Sequence, residues 1–522
     1  MLINELVSFL ESNFDCIKKS ITQNEKIESL ILNTKTREIF KSEKIGFIAL
    51  KGKEDPLEKY LDEILKIKPL LIIADVECNY QNIPKNINFI VIKDLKENLD
   101  KVLKYFYSIK MEDFNIFGVT GTNGKTTITT LLHKVFFQLN DLIFKSTLIG
   151  TIKYIIGNKI ILESSTSTIP LTTPDICTIY YLLNLSKKEN VKNIFMEVSS
   201  HSLDQDRIKG IEFKITSFTN LSRDHLDYHK TMKNYFEAKK KLFTQYKSTF
   251  KIINKINKYG KILYNEIKDA ITFSLRVKEQ KPETTSFLLS FTDPITNKKV
   301  KEIIETDLLG RYNLENLATV FITSYLLIHY LLTVENKKEI MEKIKNILRH
   351  SSTLLEDTGR LEKIHNHPFV FIDYAHTPDA LKNSLKTLSE FGKRLVNSRL
   401  ILVFGAGGNR DQSKRKLMGK VASKIADIII ITSDNPRNED PLTICQQIQQ
   451  GIDKNKKEVM VELDRKEAIK KAISIAKKND IILIAGKGHE KYQIIGNKII
   501  PFSDKEFSLE ILKQVTIEPT IT

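Results

Sequence analysis

Short apolar runs alternate with charged, amphipathic segments through the first part of the chain. Ile45 to Leu50, Leu70 to Ala74 and Phe89 to Ile92 have the length and composition of buried strands. The charged stretch from Asp55 to Lys68 predicts a helix between the first two. This alternation indicates a small α/β unit.

A strand–turn–helix pattern follows. The apolar run Phe114 to Val119 leads into a glycine-rich turn, and apolar positions then recur at helical spacing. The turn is Gly121-Thr122-Asn123-Gly124-Lys125-Thr126-Thr127. Glycines let backbone N–H groups approach phosphate oxygens, and a helix N-terminus adds donors and a favourable dipole. The pattern predicts a phosphate loop in which Lys125 reaches the terminal phosphates of ATP and the Thr126 hydroxyl binds Mg²⁺. The general P-loop pattern would place a further glycine where Val119 stands.

The last third repeats the alternation. Apolar strands at Phe369 to Ile372, Leu400 to Phe404, Ile428 to Thr432 and Ile481 to Ile484 are separated by helical segments, which predicts a parallel, doubly wound sheet. Ligands bind beyond the carboxyl ends of strands in such sheets. Polar motifs stand at those ends: Asp373-Tyr374-Ala375-His376, Gly405 to Arg410, Asp434-Asn435-Pro436-Arg437 and Gly486-Lys487-Gly488-His489-Glu490.

A chain of 522 residues is long enough for about three domains. We predict an α/β protein with a small N-terminal α/β domain (1–108), a central P-loop ATPase domain with a mostly parallel sheet (109–348), and a C-terminal doubly wound, Rossmann-like domain (349–522). The short strands expected in residues 250–308 are predicted to complete the central sheet.

Composition narrows the class of protein. Four cysteines without paired spacing argue against disulfides and a zinc site, and fit a reducing compartment. With neither a signal peptide nor an apolar run of bilayer length, we expect a cytoplasmic protein without a membrane span. The net charge is +17, but no basic cluster interleaves with aromatic residues, so we expect no nucleic-acid partner. The positive field would attract anionic substrates.

Several motifs together resemble the Mur ligases, and their order resembles the MurE type, from about residue 115 to 490. They are the phosphate loop, Met196-Glu197-Val198-Ser199-Ser200-His201 and the Asp373 motif. The resemblance implies an ATP- and Mg²⁺-dependent ligase that adds the third residue of the peptidoglycan stem peptide. It would activate UDP-N-acetylmuramoyl-L-alanyl-D-glutamate as an acyl phosphate, which the amine of the third residue attacks.

The resemblance also implies roles for residues around ATP. Lys125, Glu197, His225 and a carbamylated Lys239 would be catalytic, and the last three would hold Mg²⁺ together with Thr126. ATP would be bound by the phosphate loop (121–127), Asn313, Asn316, Arg360, Asp373 and His376. Asn313 and Asn316 are three apart, hence on one helical face, and a carboxamide offers the donor and acceptor that an adenine edge needs.

Two further groups would bind the other substrates. Thr36, Thr172, Thr173, Ser199, Gln205 and Arg207 match positions that contact the UDP-linked substrate, although the segment after Thr36 departs from the family pattern. Arg410, Asn435, Arg437, Gly486 and Glu490 would bind the incoming amino acid. Arg437 and Arg410 can each hold a carboxylate through two hydrogen bonds, which favours meso-diaminopimelate over L-lysine or L-ornithine.

Alternatives stay open at this point. The ligase could add L-lysine or L-ornithine instead of meso-diaminopimelate. A ligase similar to folylpolyglutamate synthase would share the phosphate loop, and a nucleic-acid-stimulated P-loop ATPase would use the basic charge. We expect a monomer.

Overall fold

A computed structural model describes residues 1–52, 54–163, 170–281, 284–453 and 458–517. The first sheet has five strands in the order β1-β5-β4-β3-β2, in which β2 to β5 are parallel and β1 is antiparallel. Its strands are β1 (Cys16–Ser20), β2 (Ser29–Ile31), β3 (Ile45–Ala49), β4 (Leu71–Asp75) and β5 (Phe89–Ile92). Its helices are α1 (Ile3–Asn13), α2 (Pro56–Lys59), α3 (Leu61–Lys66) and α4 (Leu95–Tyr107), with 3-10 turns at Thr34–Ile39 and Tyr80–Asn82.

The strands of this unit lie close to where the apolar runs predict them. The helix expected from Asp55 to Lys68 is two short helices, because the chain leaves helical geometry at Tyr60. Asp55 begins the first of them by accepting hydrogen bonds from the N–H groups of Leu57 and Glu58, as a helix cap does.

The central sheet has seven strands in the order β12-β11-β6-β10-β7-β8-β9, parallel except for the hairpin strands β8 and β9. Its strands are β6 (Asn115–Thr120), β7 (Ser146–Ile149), β8 (Lys153–Ile156), β9 (Lys159–Glu163), β10 (Asn193–Glu197), β11 (Phe213–Phe218) and β12 (Ser248–Ile253). Its helices are α5 (Lys125–Gln138), α6 (Ile176–Lys188), α7 (Ser200–Asp204), α8 (Leu226–His229), α9 (Met232–Thr244) and α10 (Lys258–Glu266), with 3-10 turns at Met111–Asp113 and Leu142–Phe144. Strand β6 feeds the phosphate loop from the middle of this sheet.

The prediction for residues 250–308 is partly wrong. Among the described strands of this range, β12 alone joins the central sheet, and Ile271 adds one parallel bridge to its Ile252. Strands β13 (Phe273–Gln280), β14 (Thr285–Thr292) and β15 (Lys299–Thr306) form a separate antiparallel sheet. Ile262 falls within the range for which short strands were predicted, but it lies in helix α10 (Lys258–Glu266). The inward residues of the small sheet, such as Phe287 and Leu289, pack in the same core as helix α5. Short apolar runs reveal a strand but not the sheet it joins.

Helix α11 (Arg311–Leu326) continues as a π-helix (Leu327–Leu331). By length and composition alone, this element could cross a membrane, which the sequence analysis did not expect. About 72% of its most apolar window is buried in the protein, as in the core helix of a large domain. Helix α12 (Lys337–Arg349) and the short α13 (Ser351–Leu354) follow it.

The third large sheet has six strands in the order β16-β17-β21-β18-β19-β20, of which β16 is antiparallel. The strands are β16 (Glu362–Asn366), β17 (Phe369–Asp373), β18 (Leu400–Phe404), β19 (Ile428–Ile431), β20 (Glu458–Val461) and β21 (Ile481–Ala485). The hairpin β22 (Tyr492–Ile495) and β23 (Lys498–Pro501) follows. The helices are α14 (Pro378–Gly392), α15 (Ser413–Ile425), α16 (Pro441–Gln449), α17 (Arg465–Ile475) and α18 (Asp504–Ile517).

Helices cover both faces of this sheet. Apolar side chains of α14, α15 and α16 form one core with residues such as Leu402 and Leu483, while α17 and α18 share the other with Ile401 and Ile482. Alternate residues of each strand therefore enter opposite cores, as in a doubly wound sheet. The parallel strands carry their motifs to one edge, which confirms the predicted fold class.

Candidate active site

The phosphate loop between β6 and α5 fits closely against its surroundings. Gly121 and Gly124 have φ angles of +152° and +93°. A Cβ atom on Gly121 would lie 1.9 Å from Thr219 Oγ1, and one on Gly124 would lie 2.5 Å from Asn316 Oδ1. Only glycine fits at these two positions. The Lys125 ammonium donates to the Gly121 carbonyl at 2.9 Å, so this lysine lies against the loop.

Glu197, the last residue of β10, forms a buried carboxylate beside the loop. The Thr126 hydroxyl donates to Glu197 Oε2 at 3.1 Å. Thr151 donates its N–H to Oε1 at 2.9 Å and its hydroxyl to Oε2 at 3.0 Å. Glu197 is 1% exposed, and these hydrogen-bond donors are all neutral. A buried anion held only by neutral donors is suited to a divalent cation, and Thr126 brings a second oxygen to the same point.

Lys239, on helix α9, also contacts the phosphate loop. The residue is 1% exposed, and its ammonium donates to the Gly121 carbonyl at 2.9 Å. Burial, with a smaller contribution from the charge of Lys125, holds the pKa of Lys239 well below its usual range. A lowered pKa favours the neutral amine, which is the form that reacts with CO₂.

Asp224 lies between the rings of His225 and His376. Its Oδ2 atom is 3.4 Å from His225 Nε2 and 3.7 Å from His376 Nε2. Burial opposes ionisation, but the two histidines hold the pKa of Asp224 well below its ordinary value. This carboxylate orients His225 and links the central domain to the C-terminal domain.

Asn313 and Asn316 lie at the start of α11 and share one face of it. Asn313 Nδ2 donates to the Leu309 carbonyl at 2.8 Å, and Asn316 Nδ2 lies 3.3 Å from Asn313 Oδ1. Tyr312 also lines the cleft, and its hydroxyl is buried beside Ser384. Tyr312 could not be predicted as a lining residue from the sequence, because an aromatic residue in an apolar helix usually belongs to the core.

Residues of the C-terminal domain complete the cleft. Arg360 Nη2 donates to the Thr126 hydroxyl at 3.2 Å, and its guanidinium lies 4.4 Å from the centre of the Tyr374 ring. Asp373 accepts two backbone N–H groups at 2.7 and 2.8 Å. Burial raises the pKa of Asp373 to about 6, although the charge of Arg360 works against this shift.

A single cleft brings together most of the residues predicted to bind ATP and metal. Its lining includes Thr122, Asn123, Gly124, Lys125, Thr126, Thr127, Thr172, Glu197, His225, Asn313, Asn316, Arg360, Asp373 and His376. Gly121 and Lys239 lie outside this lining but contact the loop through the hydrogen bonds described above. Thr151, Asn220 and Tyr312 also line the cleft and were not predicted.

Hydrogen bonds connect four of the residues predicted to bind the UDP-linked substrate, and this group lies next to Glu197. Thr173 donates its hydroxyl to the Glu197 carbonyl at 2.8 Å and accepts the N–H of Ser199 at 2.9 Å. Arg207 donates to the Thr173 carbonyl at 3.0 Å and to Gln205 Oε1 at 2.6 and 2.9 Å. Thr36 lies apart from them, in a 3-10 turn where its hydroxyl donates to the Asn33 carbonyl at 2.8 Å.

Glu490 and Asn435 meet beyond the ends of β21 and β19. Asn435 Nδ2 donates to Glu490 Oε2 at 2.9 Å. The Gly486 N–H donates to the Asp373 carbonyl at 3.0 Å, so this cluster is joined to the cleft through adjacent strand ends. Lys487, quoted only as part of a motif in the sequence analysis, is fully buried between them.

The two predicted arginines lie near this cluster. Arg437 Nη1 donates to the Gly408 carbonyl at 2.8 Å. Burial, and after it the charge of the nearby Arg410, lower the pKa of Arg437. Arg410 itself is exposed on the loop after β18. A guanidinium is chemically suited to an anionic group such as a carboxylate, so these two side chains remain candidates for that role.

Arg465 holds together the two strand ends that carry this cluster. The sequence alone did not indicate this role. Arg465 forms two 2.7 Å hydrogen bonds with Asp504 and donates to the carbonyls of Ser433 and Ala485 at 3.3 and 3.0 Å. These carbonyls immediately precede the Asp434 and Gly486 motifs. A lone arginine in a helical segment carries no sequence signal for this role.

Comparison with known families and proteins gives matches over most of the chain. The family description "Mur ligase middle domain" matches residues 119–324, and "Mur ligase, glutamate ligase domain" matches residues 359–488. A protein of Aquifex aeolicus named "UDP-N-acetylmuramoyl-L-alanyl-D-glutamate--2,6-diaminopimelate ligase" is 38% identical over 474 residues, which cover 89% of this chain and 90% of the relative. A protein of the same name from Clostridium botulinum is 36% identical over 524 residues, covering 99% and 100% of the two chains.

Solved structures agree. A structure of a ligase with that same name has a TM-score of 0.56 and 27% identity, and the match covers 95% of this chain and 96% of the other. An E. coli FolC structure in complex with ADP has a TM-score of 0.52 at 17% identity, with 76% and 91% covered. The second likeness shows a shared fold.

Proposed function

This chain belongs to the Mur ligase family, and from that premise we propose that it joins meso-diaminopimelate to UDP-N-acetylmuramoyl-L-alanyl-D-glutamate at the expense of ATP. The amide forms at the γ-carboxylate of D-glutamate, in the synthesis of peptidoglycan. Because both ATP and the UDP-linked substrate are nucleotides of the cell interior, the proposal includes a cytoplasmic reaction. The observation that carries the proposal is the joining of two sites: the phosphate-loop cleft and the cluster of Asn435, Arg437 and Glu490 meet through the Gly486–Asp373 hydrogen bond.

The first step activates the acid. A γ-carboxylate oxygen of D-glutamate attacks the terminal phosphorus of ATP. The bond between that phosphorus and the bridging oxygen breaks, ADP departs, and the product is an acyl phosphate. Lys125, Arg360 and the backbone N–H groups of the phosphate loop neutralise charge on the phosphates and hold them in line. Asn313 and Asn316 hold the adenine.

Thr126 and Glu197 would hold Mg²⁺ at the phosphates, and His225 with a carbamylated Lys239 would hold a second ion. The fit rests on the buried Glu197 carboxylate, whose donors in the described part of the chain, Thr126 and Thr151, are neutral, and on the buried Lys239 amine. When bound, Mg²⁺ stabilises the negative charge that develops during phosphoryl transfer.

The second step forms the amide. An uncharged amine of the incoming amino acid attacks the acyl carbon, and the tetrahedral intermediate expels phosphate while the nitrogen loses a proton. Arg207 and its neighbours Thr173, Ser199 and Gln205, together with Thr172, hold the UDP-linked substrate, to which Thr36 contributes from the N-terminal domain. These residues bring the acyl group to the amine, so their main contribution is positioning.

Arg437 and Arg410 hold the distal carboxylate of meso-diaminopimelate, and Glu490 with the Gly486 carbonyl holds its distal ammonium. L-Lysine and L-ornithine lack that carboxylate. Leaving the buried part of the Arg437 guanidinium without its anion would cost about 1–3 kcal/mol, which disfavours both.

The test is ATP-dependent phosphate release with UDP-N-acetylmuramoyl-L-alanyl-D-glutamate, with meso-diaminopimelate, L-lysine and L-ornithine offered in separate reactions. We expect release with meso-diaminopimelate alone. Release with L-lysine or L-ornithine instead would retain the ligase and overturn the role of Arg437. If no diamino acid supports release, the ligase assignment fails, and pteroylglutamate and DNA become the next additions to try.

A further inference from the structure

Lys487 is a fully buried cation inside the cluster that is proposed to bind the incoming amino acid. Its Nζ atom donates to Asn435 Oδ1 at 3.1 Å and to Glu490 Oε2 at 3.1 Å. Asp434 Oδ1 lies 3.9 Å away, and the ring centre of Tyr492 lies 5.5 Å away. A lysine is almost never buried without anionic partners, and here the partners are Glu490, which is proposed to bind the substrate ammonium, and Asp434.

The contacts of Lys487 leave one oxygen of Glu490 for the ligand. Oε2 already accepts from both Lys487 and the Asn435 carboxamide at 3.1 and 2.9 Å. The Asn435 oxygen is likewise engaged by Lys487 and by the Ile494 N–H at 2.9 Å. These bonds fix both side chains, so Oε1 is the atom of Glu490 that can receive an ammonium.

The charged side chains of this cluster leave a surplus of positive charge. Lys487, Arg437 and Arg410 carry three positive charges, and Asp434 and Glu490 carry two negative ones. The surplus positive charge favours a distal group that brings a carboxylate with its ammonium. It disfavours a side chain that ends in an ammonium alone, because Lys487 would lie close to that unpaired charge.

We propose that Lys487 determines specificity: it selects a zwitterionic distal head group and rejects a purely cationic one. The inference rests on the proposed ligase activity and adds a residue to it. Lys487 contacts the groups that bind substrate and acts through charge and through the position of Glu490. In this account Arg437 attracts the right amino acid, while Lys487 repels the wrong ones, as specific sites commonly combine both devices.

The test compares kcat/KM for meso-diaminopimelate and L-lysine in wild type and Lys487→Met. Removing the cation should raise kcat/KM for L-lysine, and the preference for meso-diaminopimelate should fall by about 10- to 100-fold, the effect of one charge at close range in partly shielded surroundings. The KM values for ATP and the UDP-linked substrate should stay unchanged. Loss of structure cannot produce a gain with L-lysine.

Three further variants make the result specific. Lys487→Arg retains the charge and should keep the preference. Lys487→Gln retains a hydrogen-bond donor without the charge and should behave like Lys487→Met. If Lys487→Met does not fold, Lys487→Gln takes its place in the comparison. Lys491→Met removes a neighbouring exposed lysine that pairs with Glu506 at 3.4 Å and should match wild type.

An equal loss with both amino acids in Lys487→Met and Lys487→Gln would overturn the inference and leave the ligase intact. Loss of the preference for meso-diaminopimelate in Lys487→Arg would likewise overturn the inference and leave the ligase intact. Wild type that is inactive with every amino acid would instead overturn the proposed function.

Discussion

At the scale of single residues, the centre of the site is a carboxylate that the protein surrounds with neutral donors. Glu197 is buried and takes three hydrogen bonds from Thr126 and Thr151. An ion pair with a lysine would satisfy the charge but would leave no place for a metal. The arrangement keeps the negative charge available and fixes its direction, as outer-shell hydrogen bonds do at metal sites.

Thr151→Val removes the hydroxyl that donates to Glu197 Oε2 and leaves the N–H donor in place. We expect about a 10-fold loss of activity at low Mg²⁺ that higher Mg²⁺ partly restores, because the variant would weaken the proposed metal site without destroying it. Phosphate release measured against Mg²⁺ concentration tests this. Thr272→Val, outside the cleft, is the control. A Mg²⁺ dependence equal to that of wild type would exclude this role for Thr151.

His133, far from the proposed chemistry, makes stability depend on pH. Its Nδ1 atom lies 2.8 Å from Ser146 Oγ in the interior, and burial lowers the pKa of His133 to about 4 from 6.5. Below pH 6.5 the unfolded chain binds a proton that the folded chain excludes, so stability is lost as the pH falls from 6.5 towards 4.

His133→Gln should remove this loss. The difference in unfolding free energy of the central domain between pH 7 and pH 5 should shrink by about 2 kcal/mol. Urea unfolding at both pH values measures it, with the exposed His350→Gln as control. If His133→Gln keeps the pH dependence of wild type, the proton is not excluded at this residue.

At the scale of elements, strand β6 is shaped by a glycine that faces an aromatic ring. A Cβ atom on Gly118 would lie 2.5 and 2.8 Å from two ring atoms of Phe213. Since β6 pairs with β10 and β11 on its two sides, the strand cannot move away from that ring. The position of the phosphate loop depends on this close approach.

Gly118→Ala should therefore destabilise the protein by about 1–3 kcal/mol, the usual cost of overpacking a core. Thermal unfolding measures the change. Phe213→Leu added to Gly118→Ala should recover part of the loss, because it removes the ring. Gly52→Ala, where a Cβ would meet no atom within 4 Å, is the control. A Gly118→Ala protein as stable as wild type would show that the ring moves freely.

At the scale of the whole molecule, contacts across the central and C-terminal domains surround the cleft. Arg360 reaches Thr126, His376 reaches Asp224, and Arg223 reaches the loop that carries Arg410. The Arg223 guanidinium lies 3.3 Å from Asp411 Oδ2 and 2.5 Å from Ser413 Oγ. These contacts connect the C-terminal domain, which carries Asn435, Arg437 and Glu490, to the central domain, which carries the phosphate loop.

Arg223→Ala should weaken this contact between the central and C-terminal domains. The ion pair is partly exposed, so we expect a loss of about 0.2–1 kcal/mol. The radius of gyration from X-ray scattering should increase, and kcat should fall about twofold. Arg276→Ala, on the outer part of β13, is the control. Scattering profiles and kcat identical to wild type would show that the pair does not hold the domains together.

The sequence by itself determined the elements and much of the chemistry. Buried strands such as β3, β5 and β21 lie where apolar runs predict them, because a strand buried on both faces needs a continuous apolar run. The phosphate loop and the motifs at strand ends could be located because parallel strands bring their carboxyl ends to one edge. Family membership and fold class followed from these motifs.

Tertiary structure alone decided which groups meet. That β13 to β15 form their own sheet, that Thr151 supports Glu197, and that Lys487 pairs with Asn435 depend on the fold of the whole chain. Arg465 shows the reason: its partners Asp504, Ser433 and Ala485 are 20 to 39 residues away, and local pattern contains no information about them. Charge and hydrogen bonding depend on distance in space, which only the folded chain fixes.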